Sequence, residues 1–260
     1  MINQETFKTL LQKVKEDSAA GIYTHTDHLI TQIEVGGLTI LYVSLDNSVR
    51  ANLNNNPLSG RLLAICETVT KCLEQVNKNC IVFFSESCRG SVGASWFKMR
   101  QTIADKCSIQ YLGECANNED TNGMAFGVSA FCTNTCIDLI DAVLPRHILT
   151  VGFGSGAIGV KLVTGEIVWG IHFPIDFART GADNLQYQAM AGLVSVMKSH
   201  EGSVAAMGDF NTIPGNPFES IKAAIPEDME LISADHPTFY GAFYDTMVPR
   251  EGDNWIEYPV

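Results

Sequence analysis

The sequence predicts an α/β protein with two packed β-sheets, mixed but mostly antiparallel. Helices cover both outer faces, giving four layers, α/β/β/α. Three observations predict this. Strand-like runs rich in Val, Ile, Phe and Tyr recur along the chain, bounded by Gly, Asn or Asp. Separate stretches between them place apolar residues at every third or fourth position, as helices do. Consecutive runs also carry hairpin-like links, as in "KLVTGEIVWG", which turns at Thr164-Gly165. Such a mixture packs sheet on sheet with helices outside.

The elements follow in order. "HLITQIEV" (28–35) and "LTILYVSL" (38–45) are strands. "GRLLAICETVTKCLEQVNK" is a helix with Leu62, Ile65, Val69, Leu73 and Val76 on one face. "CIVFFSE" (80–86), "SIQYLGE" (108–114), "MAFGVSAF" (124–131), "HILTVGFG" (147–154), "AIGVKLV" (157–163) and "EIVWGIHF" (166–173) are strands. A second helix, "NLQYQAMAGLVSVMKSH", aligns Leu185, Met190, Leu193 and Met197. The strand "SVAAMGDF" (203–210) and a short helix, "NPFESIKAAI" (216–225), come next. No Pro/Gly/Ser linker divides the chain, so residues 1–260 read as one domain. Its core runs from about 38 to 260, and residues 1–37 supply an N-terminal helix and a leading strand.

With 46% hydrophobic residues the chain can bury a sizeable core. A net charge of −12 and a pI of about 4.8 argue against a protein coated in basic charge for non-specific nucleic-acid binding. The opening residues show no secretory leader and no apolar run reaches membrane-span length, so the expected location is intracellular, cytoplasmic or nuclear, with no membrane span. The eight cysteines sit in apolar settings without close metal-type pairs and read mostly as reduced, packed thiols.

Four strand ends share a feature. "LTILYVSL" runs into Asp46-Asn47, "CIVFFSE" ends in Glu86, "EIVWGIH" ends in His172, and "SVAAMGDFN" ends in Asp209 and Asn211. Side chains alternate along a strand, so Asp209 and Asn211 leave on one side and Phe210 turns into the core. One polar strand end is commonplace. Four that supply carboxylates, carboxamides and an imidazole point to a site.

These residues resemble the endonuclease/exonuclease/phosphatase superfamily, the deoxyribonuclease-I-like fold. The superfamily's "GDFN" stands intact at Gly208–Asn211, "IVFFSE" looks like its metal strand, "IHFP" its strand ending in His, and "YVSLDN" its first strand. Arg61, "NGMAFG" and "PTFYGAFYDTM" add smaller matches, and the resemblance runs from about Leu38 onward.

The resemblance implies a metal-dependent phosphoesterase. Glu86, with Asp46 or Asn47 beside it, is the implied ligand set for Mg²⁺ or Mn²⁺, since oxygen donors suit hard cations. Asp209 would orient and deprotonate the attacking water. Asn211 would donate hydrogen bonds to a phosphate oxygen or a neighbouring carboxylate. His172 would stabilise developing charge or protonate the leaving group. The implied substrate is a phosphoester in a nucleic acid, a nucleotide or a phosphorylated small molecule. Arg89 and Trp96, in "SCRGSVGASWFKMRQ", pair a cation with an aromatic ring, as nucleotide binding requires, or form a loop entering a helix. The pattern departs from the superfamily at its end. Ile256 and Glu257 occupy the places of the expected Asp-His pair, and the downstream Asp235-His236 stands earlier in the chain than usual. His236 is a candidate substitute. The alternative is an impaired relative that keeps the fold and acts as a binding module.

Overall fold

The computed structural model describes residues 30–35, 37–44, 60–76, 79–85, 93–116, 127–149, 155–174, 176, 178–211, 216–233 and 245–249. The described strands are β1 (Ile30–Val35), β2 (Leu38–Ser44), β3 (Cys80–Ser85), β4 (Ile109–Ala116), β5 (Gly127–Thr133), β6 (Ile140–Val143), β7 (Gly156–Leu162), β8 (Ile167–His172), β9 (Ser203–Asp209), β10 (Met229–Ser233) and β11 (Asp245–Pro249). The helices are α1 (Gly60–Gln75), α2 (Gly93–Cys107), α3 (Leu185–Ser199) and α4 (Asn216–Ala224).

The strands form two sheets, with orders β1-β2-β3-β5-β4 and β10-β11-β9-β8-β7-β6. Neighbours pair antiparallel except β2–β3 and β8–β9, which are parallel. A parallel pair needs a crossover connection. The helix α1 lies between β2 and β3 in the chain, and α3 lies between β8 and β9. The expected hairpin joins β7 to β8, and Gly165 there takes a φ of 104°, which L side chains rarely adopt.

Two apolar clusters fix the layers. One joins both faces of the first sheet to Leu62, Ile65 and Val69 of α1, to Met99 and Ile103 of α2, and to Ile158, Val168 and Met207 on the inner face of the second sheet. The other covers the outer face of the second sheet, where Trp169 and Ile171 meet Met190, Leu193 and Met197 of α3 and Ile221 of α4. The sheets approach closely because β8 carries Gly170, where an added Cβ would run into the Phe83 ring of β3. Tyr42 of β2 spans the same gap, its hydroxyl donating to the Ile171 carbonyl at 3.0 Å.

Local details differ from the sequence reading. "HILTVGFG" does not continue as a strand through its described residues. A strand outside that reading, β6, precedes the run, and within the run's described residues, 147–149, His147 makes an isolated bridge to Ala157; residues 150–154 lie outside the described residues. The regular ladder stops after Leu144, whose N–H bonds the Gly159 carbonyl, and pairing with β7 resumes only at His147, beyond Pro145. "GASWFKMRQTIADKC" forms a full helix, α2, a fourth beyond the three apolar patterns. Strands β10 and β11 extend the second sheet beyond β9. All seven described cysteines are free and buried.

Candidate functional site

The site is built at the C-terminal ends of the two parallel pairs. Within the second sheet, His172 closes β8 and Asp209 closes β9, and the two are register partners. Strand alternation puts His172 on the face shared by Val168 and Gly170, and Asp209 on the face shared by Met207, so both side chains face the first sheet. Both are buried, each 6% exposed. Within the first sheet, Ser44 and Ser85 end β2 and β3 as register partners. They lie on the same face as Tyr42 and Phe83, which reach across to β8. The two parallel pairs thus end together, facing each other.

The GDFN segment has a specific local shape. Gly208 is required by close packing, since a Cβ there would run into the Ile171 carbonyl on β8. Phe210 is fully buried and packs against Phe173, ring centroids 4.8 Å apart and planes tilted by 59°. Asn211 adopts a φ of 51°, the left-handed region that Asn tolerates better than most side chains. Three bonds hold it there. Its backbone N–H donates to Asp209 Oδ1 (2.8 Å), its Nδ2 donates to the Phe173 carbonyl (2.6 Å), and its own carbonyl accepts from Gln186 Nε2 (2.5 Å). The first of these orients the Asp209 carboxylate.

Gln186 belongs to a buried polar cluster that sequence reasoning did not identify. Its Oε1 accepts from the Asp176 N–H at 3.3 Å. Asn184 caps α3 by accepting from the Gln186 and Tyr187 N–H groups, and its Nδ2 donates to the carbonyls of Asp176 and Arg179. The Asp176 carboxylate accepts from the N–H groups of Ala178, Arg179 and Leu185 and pairs with Arg179 at 3.7 Å. Burial pushes the Asp176 carboxyl up, but these N–H donors and the Arg179 guanidinium outweigh it and hold it below its ordinary range. The Asn before an apolar-periodic helix was a legible cap signal. Nothing in the sequence marks a buried glutamine.

The other candidates stand as follows. Asp46, Asn47, Glu86, Arg89 and His236 lie outside the described residues, as do Ile256 and Glu257. Asp46 and Asn47 follow Ser44 by two and three positions, and Glu86 follows Ser85 directly. Trp96 falls in the first turn of α2. Among the described residues no three of His, Cys, Asp or Glu gather into a metal-sized group. The described donors nevertheless fit a hard divalent cation. They are oxygen-rich, and the Ser85 hydroxyl is buried with no hydrogen-bond partner beside the position of Glu86.

No family model and no curated protein matches the sequence. Solved structures do match in fold. One is humanized D. rerio TDP2 carrying 14 mutations, with a TM-score of 0.50 and 12% identity over 84% of this chain and 85% of that one. Another is an endonuclease/exonuclease/phosphatase family protein from Leptotrichia buccalis, with a TM-score of 0.50 and 13% identity over 81% and 87%. The chain has the deoxyribonuclease-I-like fold.

Proposed function

We propose that the chain is a divalent-cation-dependent phosphoesterase, hydrolysing a phosphodiester or phosphomonoester in a nucleic acid, a nucleotide or a phosphorylated small molecule. The supporting observation is the buried pair of register partners His172 and Asp209, facing the other sheet beside a strained, triply held Asn211. Ionisable groups buried together at adjacent strand ends are costly to place and collect at functional sites. The fold match is consistent with this reading, because similar structures include a family of endonucleases, exonucleases and phosphatases.

Each residue has a role on this reading. Glu86, with Asp46 or Asn47, would hold the cation, which would neutralise the phosphate's charge and polarise its oxygen. Asp209, fixed by the Asn211 N–H, accepts a proton from the attacking water. His172 donates toward the developing charge or the leaving oxygen. Asn211 uses one amide hydrogen on the Phe173 carbonyl, and the second can serve a phosphate oxygen. Arg89 and Trp96 would take phosphate charge and base or ring. The expected location is intracellular.

The test is hydrolysis of bis(p-nitrophenyl) phosphate and p-nitrophenyl phosphate with Mg²⁺ or Mn²⁺, with and without EDTA. Turnover that EDTA abolishes and that Glu86→Gln lowers ~100-fold or more supports the reading. Absence of metal-dependent turnover on either ester, with the fold intact, favours the binding-module alternative raised by Ile256 and Glu257.

A further inference from the structure

A second chemical feature lies outside this site, on the helical layer over the first sheet. Cys66 sits within α1, and Cys107 is the last residue of α2. Cys107 Sγ donates to the Cys66 carbonyl at 3.6 Å, which sets the two cysteines side by side between the helices. Thr70 fastens the same point, donating to the Cys66 carbonyl at 2.8 Å and lying 3.3 Å from the Lys106 carbonyl. A solvent-open cleft of about 450 Å³ between the helices reaches Cys66, lined also by Glu67, Thr70, Lys71, Glu74 and by Lys106, the neighbour of Cys107. The remaining described cysteines are placed differently. Cys80 Sγ bonds the Ile81 carbonyl and Cys115 Sγ the His147 carbonyl. Burial pushes Cys72 and Cys132 up to about 12 and Cys136 up to about 11.

We propose that Cys107 and Cys66 are a redox-active pair that a small peroxide converts into a reversible disulfide tying α1 to α2. Cys107 attacks as the thiolate. Its sulfur takes one peroxide oxygen, the O–O bond breaks and hydroxide leaves, giving a sulfenic acid. Cys66 then loses its proton and attacks the Cys107 sulfur. The S–O bond breaks and the oxygen leaves as water. In total, two thiols and one hydrogen peroxide give one disulfide and two waters. The division of roles follows the contacts. The neighbouring Cys66 thiol lowers the Cys107 pKa against the opposing effect of burial, while hydrogen bonding to Cys107 and burial push Cys66 up. The peroxide enters by the cleft, where Lys71 and Lys106 stand beside Glu67 and Glu74. This inference stands apart from the phosphoesterase reading.

Reduced protein is treated with hydrogen peroxide, its remaining thiols are blocked with N-ethylmaleimide, and peptides are mapped by mass spectrometry without reductant. The expected product joins the Cys66 and Cys107 peptides, consumes two of the eight thiols and reverts with dithiothreitol. The Cys66→Ser variant instead accumulates a Cys107 sulfenic acid trapped by dimedone, and Cys107→Ser leaves Cys66 reduced. Oxidation raises Tm of the native protein by roughly 5–10 °C, because the bond closes a long loop, and leaves the Cys107→Ser variant unmoved. The native map needs no variant and decides alone. Eight surviving thiols, or a crosslink mainly among Cys72, Cys80, Cys132 and Cys136, overturns the proposal.

Discussion

Each sheet holds one parallel pair among its described strands, and the two pairs end differently. β2–β3 is buried along its whole length and ends in Ser44 and Ser85. Its candidate ionisable groups, Asp46 and Glu86, come one or two residues later. β8–β9 carries its ionisable groups inside the ladder, at His172 and Asp209, with a polar network behind them. Only parallel neighbours send both C-terminal ends to one edge, so each pair sets two polar ends side by side. The difference is in how those ends are held. The second pair is fixed by hydrogen bonds from α3 and the GDFN turn. The first ends in a buried hydroxyl, that of Ser85, without a hydrogen-bond partner.

The largest expected effect breaks the second pair chemically. Asp209→Asn keeps the shape and the contact with the Asn211 N–H but cannot accept a proton. Metal-dependent hydrolysis should fall roughly 10²–10⁴-fold with Tm nearly unchanged. If kcat/KM changes less than ~5-fold, the proton-accepting role is wrong.

A second substitution separates the pairs physically. Gly170→Leu puts a side chain where the Phe83 ring lies, between the sheets. Overpacking there should cost about 1–3 kcal/mol or more by urea unfolding. Gly170→Ala should cost less, in the same direction. Unchanged stability in both would mean that the sheets do not meet at Phe83.

The third change tests the polar network. Gln186→Leu removes the donor to the Phe210 and Asn211 carbonyls and the acceptor for the Asp176 N–H. Left unpaired, these buried groups should cost about 1–3 kcal/mol of stability, with a further loss in kcat as Asn211 relaxes from its left-handed conformation. Gln186→Glu retains the acceptor and should restore part of the stability. Equal stability of the Leu variant and the native protein would show the network to be idle.

These particulars show what the sequence could and could not carry. The end of β9 was legible because Gly-Asp-Phe-Asn breaks an apolar run with residue types that no core requires, and His172 stood out likewise. The two-sheet architecture followed from strand-like runs separated by helical patterns. That β8 and β9 run parallel was not legible, because strand direction depends on the crossover through α3 and not on either strand's composition. Gln186 and Asp176 were invisible because a buried amide looks like a surface one until its partners are placed. β6 was missed because its four residues, Ile140–Val143, alternate partly buried and exposed positions on an edge strand and form no long apolar run. The contact of Cys66 with Cys107 joins residues on different helices, and spacing along the chain does not encode it.

The smallest expected effect lies at the other end of β8. There His147, Trp169 and His200 pack edge to face, with ring centroids 5.3–5.5 Å apart, and His147 Nε2 is buried without a partner. Burial first, then the nearby His200, pushes His147 below its ordinary value, so the fold prefers the neutral ring. The sign follows. Between the folded pKa and an unfolded value near ~6.5, the unfolded chain binds more protons, so stability rises with pH. The contribution is complete above about pH 6.5 and is lost as pH falls below it, at a slope no steeper than ~1.4 kcal/mol per pH unit. Urea unfolding from pH 7.5 down to 5.0 should therefore show a decline that His147→Phe flattens, since Phe keeps the ring packing on Trp169 and cannot titrate. If the variant's slope below pH 6.5 equals the native one, the His147 ring is not held neutral by its surroundings, and the Trp169 cluster contributes packing alone.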